Sequence, residues 1–158
     1  MVLYRIARNR RTNDLSGEGA RLAGGRWNPV GIPVLYTASS VALASMEVLV
    51  HATATEINSG LFSRVDIYVP DMATITEVEI SDLPSNWSDE IPPDLLCDIG
   101  REWVESKKTL LMRVPSAALG GHEYNYLINP HHPDMKEVTI AGVMTFVYNE
   151  RVKRLIKP

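Results

Sequence analysis

A single α+β domain is the fold class that the sequence predicts, and three observations carry it. The chain has 158 residues, one domain's worth at about 100–200 residues per domain. Six short runs rich in β-branched and aromatic residues read as strands, and two longer segments carry helical periodicity. The two kinds of element do not alternate strictly, so an all-parallel βαβ order is disfavoured and a mixed sheet is expected.

Val2–Ala7 opens the chain as a strand. Gly17 to Gly31 holds five of the ten glycines together with the turn pair Asn28-Pro29, and is read as an ordered loop with close backbone approaches. Val34–Ala38 follows Pro33 as a buried strand. Ser39 or Ser40 then caps a helix running to about Thr53, its hydroxyl accepting a free backbone N–H. Leu61–Val69 sets Val65, Ile67 and Val69 on one face and stops at Pro70, which has no N–H for a ladder. A short strand at Ile75–Ile80 and a polar connection over Ser81–Pro93 lead to a helix at Asp94–Ser106, where Leu95, Leu96, Ile99 and Trp103 form a one-sided apolar stripe. Thr109–Val114 and Val138–Val147 read as strands, and Ala117–Pro133 between them, with two glycines, two prolines and three histidines, as a long functional loop. There is no repeat and no linker, so residues 1–158 are taken as one domain.

Composition excludes several function classes. At 45% hydrophobic and 22% charged residues the chain is ordinary globular protein. One cysteine, Cys97, makes no internal disulfide, and no basic-then-apolar signal opens at Met1, so a reducing, cytoplasmic setting is expected. The most apolar stretch, Val41–Ala54, is interrupted by Glu47 and His51 and falls short of the ~20 residues of a membrane helix. The net charge of −3 argues against direct nucleic-acid binding, which needs a basic surface. That charge is polarised: residues 1–26 carry six Arg and two acids, and residues 66–105 eleven acids and one Arg. The basic part suits an anionic small molecule, and the acidic part a basic partner or water.

Glu47 is the first chemical candidate. It is the only charge among the apolar residues of Val41–Val50, and a buried carboxylate costs several kcal/mol unless it is paired or hydrogen-bonded. An N-terminal arginine or His51 one turn later is the expected compensation, and a catalytic role stands beside that structural one. Arg26 lies in Gly24-Gly25-Arg26-Trp27-Asn28-Pro29, where its planar fork and the Trp27 ring suit a phosphate or a nucleotide, or form a plain surface turn. The dinucleotide fingerprint fails, because Gly17-Glu-Gly19 is followed by Leu22 where the third glycine belongs. Ser116 lacks the surroundings of a nucleophile elbow and is read as capping or orienting. His122, His131 and His132 match no ligand spacing, so no metal is assigned.

Three separated pieces together resemble the RES domain family. They are Arg21-Leu-Ala-Gly-Gly-Arg-Trp-Asn-Pro-Val-Gly31 with Pro33-Val-Leu-Tyr-Thr-Ala38; Ala44-Ser-Met-Glu-Val-Leu-Val-His51; and Val114-Pro-Ser-Ala117 with Asn125-Tyr-Leu-Ile-Asn-Pro-His-His-Pro133. The resemblance implies a fold like that of the ADP-ribosyltransferase toxins, with sheets flanking an NAD cleft. It also implies a bacterial toxin that degrades NAD by hydrolysis or phosphorolysis, with transfer of ADP-ribose to a protein as the alternative and a non-enzymatic interaction module behind that. An Xre-like helix-turn-helix antitoxin is the implied partner, with inorganic phosphate a possible co-substrate and a homodimer a possible form within the toxin–antitoxin complex. By position, Arg26, Tyr36, Glu47 and Ser116 are the implied catalytic residues. Trp27, Asn125 and Asn129 join Arg26 and Tyr36 as substrate-binding residues, and Arg5 on the first strand is a second candidate for the phosphates. In the implied chemistry Arg26 holds the pyrophosphate, Tyr36 stacks on the nicotinamide ring, and Glu47 binds the ribose hydroxyls and stabilises the oxocarbenium-like charge.

Overall fold

A computed structural model describes residues 1–156. Among them, β1 (Val2–Arg8), β2 (Leu35–Ala38), β3 (Phe62–Tyr68), β4 (Ile75–Glu77), β5 (Leu111–Pro115), β6 (Tyr124–Ile128) and β7 (Thr139–Phe146) form one sheet in the order β4-β5-β6-β2-β1-β3-β7. Only β4 and β5 run parallel; the other neighbours are antiparallel. The helices are α1 (Glu18–Ala23), α2 (Val41–Leu49), α3 (Ala54–Asn58), α4 (Asp94–Ser106) and α5 (Glu150–Lys153). The α+β class and the mixed sheet are as expected.

The weak seam of this sheet positions the site. β1 pairs with β3 along its whole length, from Val2↔Tyr68 to Arg8↔Phe62, but meets β2 only at Tyr4↔Ala38. Beyond that pair the two strands part. Leu35, Leu111 and Ile128 from one half nevertheless share a buried cluster with Leu3, Val65 and Ile67 from the other, so the halves close on a common core. Each aliphatic side chain fully buried there contributes about 1.5–3 kcal/mol. The opposite face of the β5-β6-β2 half packs Met112, Val114 and Leu127 against Leu96, Trp103 and Val104 of α4. Leu43 and Ala44 of α2 and Ile57 of α3 pack with Ile6 and Phe62 on the other half.

Four expectations need correction. The glycine-rich stretch contains α1, started by Gly17 at φ 71° and stitched by the Glu18–Arg21 ion pair one turn apart. The helix capped by Ser40 ends at Leu49 rather than near Thr53; Thr53 instead starts α3, through a reciprocal cap with Glu56. The fourth strand stops at Glu77, and Ile80–Asp82 turns as a short 3-10 helix. Ala117–Pro133 is not one long loop: Tyr124–Ile128 is β6, an interior strand bonded to β2 and β5 on its two sides.

Candidate active site

The β1–β2 seam is where a cleft opens. Tyr4 stands opposite Ala38, Ala38 opposite Asn125 and Asn125 opposite Val114, while Tyr36 stands opposite Leu127. Side chains two apart on a strand share a face, so these six residues form one floor. They line a cavity of about 1090 Å³, at the top of the ~300–1,000 Å³ that small-ligand sites occupy. One wall is α2, whose Ala44, Glu47 and Val48 point in together with His51 beyond its end, the i, i+3, i+4, i+7 spacing of one helical face. Facing it are the Gly24–Trp27 turn and Ser88, Glu90 and Pro92 from the connection before α4.

Glu47 is compensated by neutral donors, not by a cation. Its Oε1 accepts from Ser116 Oγ and from Asn125 Nδ2, both at 2.6 Å. Neither expected ion pair, to an N-terminal arginine or to His51, forms among the described residues. Oε2 has no protein donor among those residues, so the second carboxylate oxygen is uncommitted beside the cavity. Val50, just past the end of α2, is 53% exposed. Ser116 is itself fully buried, with its N–H on Glu123 O and its carbonyl accepting from Gly121 N. A hydroxyl so enclosed has Glu47 as its acceptor. Asn125 reaches Glu47 from β6, the strand that a short run between two glycines and Asn129-Pro130 conceals in the sequence.

Arg26 and Trp27 are the two central residues of a turn closed by Gly25 N to Asn28 O at 2.9 Å and Asn28 N to Gly25 O at 3.3 Å. The Arg26 guanidinium donates to the backbone carbonyls of Trp87 at 2.6 Å and Asp89 at 2.9 Å. Burial lowers its pKa, against the opposing pull of Glu47, Tyr36 and Asp89, but an arginine stays charged regardless. Two of its five N–H donors are thereby used. The acidic segment, left open between partner and solvent, thus supplies through its backbone the contacts that aim Arg26. Such carbonyl contacts leave no trace in the side-chain pattern of a sequence.

Tyr36 donates its hydroxyl to Asn28 Oδ1 at 2.7 Å and accepts from Trp27 N at 3.1 Å. Burial raises its pKa well above the usual tyrosine value, partly offset by the Trp27 N–H, so it is a neutral phenol at any working pH. Arg5 lines the cavity where β1 and β2 part, donating Nη1 to Asp14 O at 2.8 Å. Burial lowers its pKa more than the facing Asp14 restores it, and Arg11 adds repulsion. It makes no ion pair among the described residues, and a largely buried cation with one carbonyl partner is disposed to take an anion.

Comparison with known proteins bears on this arrangement. The model of the RES domain matches residues 2–149. The chain belongs to the RES domain family. A protein of Sphingobium sp. (strain YBL2) named "Prs ADP-ribosylating toxin" is 38% identical over 156 residues, covering 96% of each chain. "Toxin Res" of Photorhabdus laumondii is 38% identical over 99% of this chain and all of its own. "Toxin Res" of Yersinia enterocolitica is 37% identical over 97% of this chain and all of its own. The chain is therefore a RES toxin. Its fold is shared with a chain of the M. tuberculosis MbcT-MbcA toxin-antitoxin complex, at a TM-score of 0.73 and 19% identity over 98% of this chain and 87% of that one.

In this RES domain Arg26, Trp27, Tyr36, Glu47, Asn125 and Arg5 all line one cavity, and Ser116 touches it through Glu47. Asn129 does not join them. Fully buried, it donates to Val104 O at the end of α4 and accepts from His131 N, so its polar atoms tie α4 to the turn after β6. Asn129, expected among the substrate-binding residues, thus lies outside the cavity. No group of His, Cys, Asp and Glu among the described residues has metal-site geometry, and no helix there is long and apolar enough to cross a membrane.

Proposed function

We propose that this RES toxin cleaves the nicotinamide–ribose bond of NAD in the β1–β2 cleft. The observation that carries this reading is Glu47, a carboxylate fixed through one oxygen by Ser116 and Asn125 with its second oxygen uncommitted beside the cavity. In the proposed pose Arg5 and the free N–H groups of Arg26 take the pyrophosphate, and the nicotinamide ring stacks against Tyr36. Nicotinamide in NAD is already cationic. The anomeric C–N bond breaks with its electron pair going to the ring nitrogen, so no general acid is needed. Positive charge then develops on the ribose, where Glu47 stabilises it from a fixed position. An acceptor oxygen bonds to the anomeric carbon and its proton passes to Glu47 or to solvent. The acceptor is water or inorganic phosphate in the first reading. A protein acceptor is the second reading, favoured by the 38% identity to a relative named as an ADP-ribosylating toxin.

Purified chain incubated with NAD, with and without phosphate and with a cell lysate, separates these by product mass. Free ADP-ribose marks hydrolysis, ADP-ribose phosphate marks phosphorolysis, and a mass increment on a protein marks transfer. NAD left intact in all three mixtures overturns the reading and leaves an interaction module. The partner we propose is an antitoxin of Xre-like helix-turn-helix type, in keeping with a structural neighbour that belongs to a toxin-antitoxin complex.

A further inference from the structure

Asn28 is fully buried, does not line the cleft, and spends every polar atom on groups that do or that flank them. Its Nδ2 donates to Ala20 O and Ile32 O, both at 2.9 Å, with Pro29 O at 3.2 Å. Three carbonyls around one end of the carboxamide fix that end as nitrogen, so the other end must be oxygen. Facing that oxygen, the Tyr36 hydroxyl has to donate, which leaves its lone pairs to accept from Trp27 N–H. Direction thus propagates from three carbonyls, one on α1 and two in the loop after Asn28, through Asn28, to the tyrosine and back to the turn that carries Arg26. Gly25 shows how tight the joint is: a Cβ there would stand 2.6 Å from Tyr36 Oη and 2.8 Å from Asn28 Oδ1.

We propose that Asn28 is a positioning residue that locks the Tyr36 ring and the Arg26 turn into one rigid unit before substrate arrives. The inference rests on the NAD reading for what the unit binds, though not for the lock itself. Ring and guanidinium come from different segments, β2 and the Gly25–Asn28 turn, and the Tyr36 hydroxyl is their direct tie. With the tie intact, a ligand touching both loses little freedom on binding. Without it the ring and the turn move separately, and affinity falls before turnover does.

The test compares wild type, Tyr36→Phe, Gly25→Ala and Asn28→Ala for kcat and KM with NAD, alongside hydrogen exchange of the turn amides. Losing both neutral hydrogen bonds of the hydroxyl, to Asn28 and from Trp27, should raise KM about 5-fold to 10-fold in Tyr36→Phe, more than it lowers kcat. Gly25→Ala, which breaks the same joint from the other side, should match it. Asn28→Ala should raise KM at least as much, and adding Tyr36→Phe to it should raise KM by less than the product of the two single effects, because both break the Asn28–Tyr36 link. If Asn28→Ala does not fold, the Tyr36 and Gly25 variants still decide. Unchanged KM in both, with wild-type enzyme active, overturns the proposal. Exchange at the Trp27 amide gives a reading without substrate: faster exchange in Tyr36→Phe supports the lock, and unchanged exchange overturns it. A wild type that leaves NAD untouched while its Trp27 amide responds to Tyr36→Phe sinks the substrate reading alone.

Discussion

A carboxylate held by a serine and an asparagine behaves differently from one held by a cation. Ser116 and Asn125 give Glu47 two directed hydrogen bonds and no positive charge, so its negative charge is oriented without being neutralised. Glu47→Gln should therefore keep the fold and lower turnover by about 10²–10³, the usual effect of removing one electrostatic stabiliser. Full NAD-consuming activity in a folded Gln variant removes Glu47 from the mechanism. Ser116→Ala loses one of two restraints and should cost less turnover than Glu47→Gln while leaving KM for NAD near wild type. The two arginines separate in the same way. Arg26 has two donors on fixed carbonyls, whereas Arg5 has one and keeps more of its fork for a ligand. Lysine keeps the charge but loses the fork, so Arg5→Lys should weaken NAD binding more than Arg26→Lys. Calorimetric titration with ADP-ribose checks the order, and the reverse order would return the principal phosphate role to Arg26.

At the scale of elements, the site depends on how closely α4 lies against the Arg26 turn. Gly100 faces the Trp27 backbone, where any Cβ would overlap the Trp27 carbonyl, and Cys97 one turn earlier sets its sulfur 3.4 Å from Gly25 O. Gly100→Ala must lift the helix, and overpacking of this kind costs about 1–3 kcal/mol. Denaturant unfolding should show that loss, with NAD affinity falling in the fraction still folded. An unchanged midpoint would mean that α4 does not bear on the turn. α4 itself was legible in its bounds, because thirteen residues of one-sided apolar periodicity leave little else for Asp94–Ser106 to be, although Leu95 of the expected stripe is 49% exposed. β6 was not, since five residues between a Gly-Gly pair and Asn129-Pro130 carry the turn signals of a loop, and its strand character comes from β2 and β5 on either side. α3 was hidden differently. Its Thr53–Glu56 capping pair stands in the sequence, but it follows the apolar run of α2 so closely that one helix absorbs both. Asn28 could be read as a turn residue and no further, because nothing local shows that its carboxamide will be enclosed by Ala20, Ile32 and Tyr36.

Taken whole, the molecule divides its chemistry between two half-sheets that share a core and part on one side. Arg5 comes from the β1 half, Tyr36 and Asn125 from the β2-β6 half, and Glu47 from the helix after β2, so the constellation exists only when both halves have closed on their common core. Under the proposed NAD chemistry an antitoxin would have to restrain the chain, and a cleft holding Arg5 and Arg26 offers a carboxylate the same donors that it offers a phosphate. Substrate and a restraining protein segment should therefore compete for one place. Expressed alone in bacteria, the wild-type chain should arrest growth and deplete NAD within the same interval. Co-expression of a helix-turn-helix antitoxin partner should reverse both, and Glu47→Ala, which keeps the arginines and the fold but loses the fixed charge, should be harmless without any partner. Titrating ADP-ribose into the purified pair should weaken the partner's grip if the cleft is shared, and leave it unchanged if restraint acts elsewhere on the surface. A soluble, abundant wild-type chain that cells tolerate unpartnered would sink the NAD-consuming reading at once.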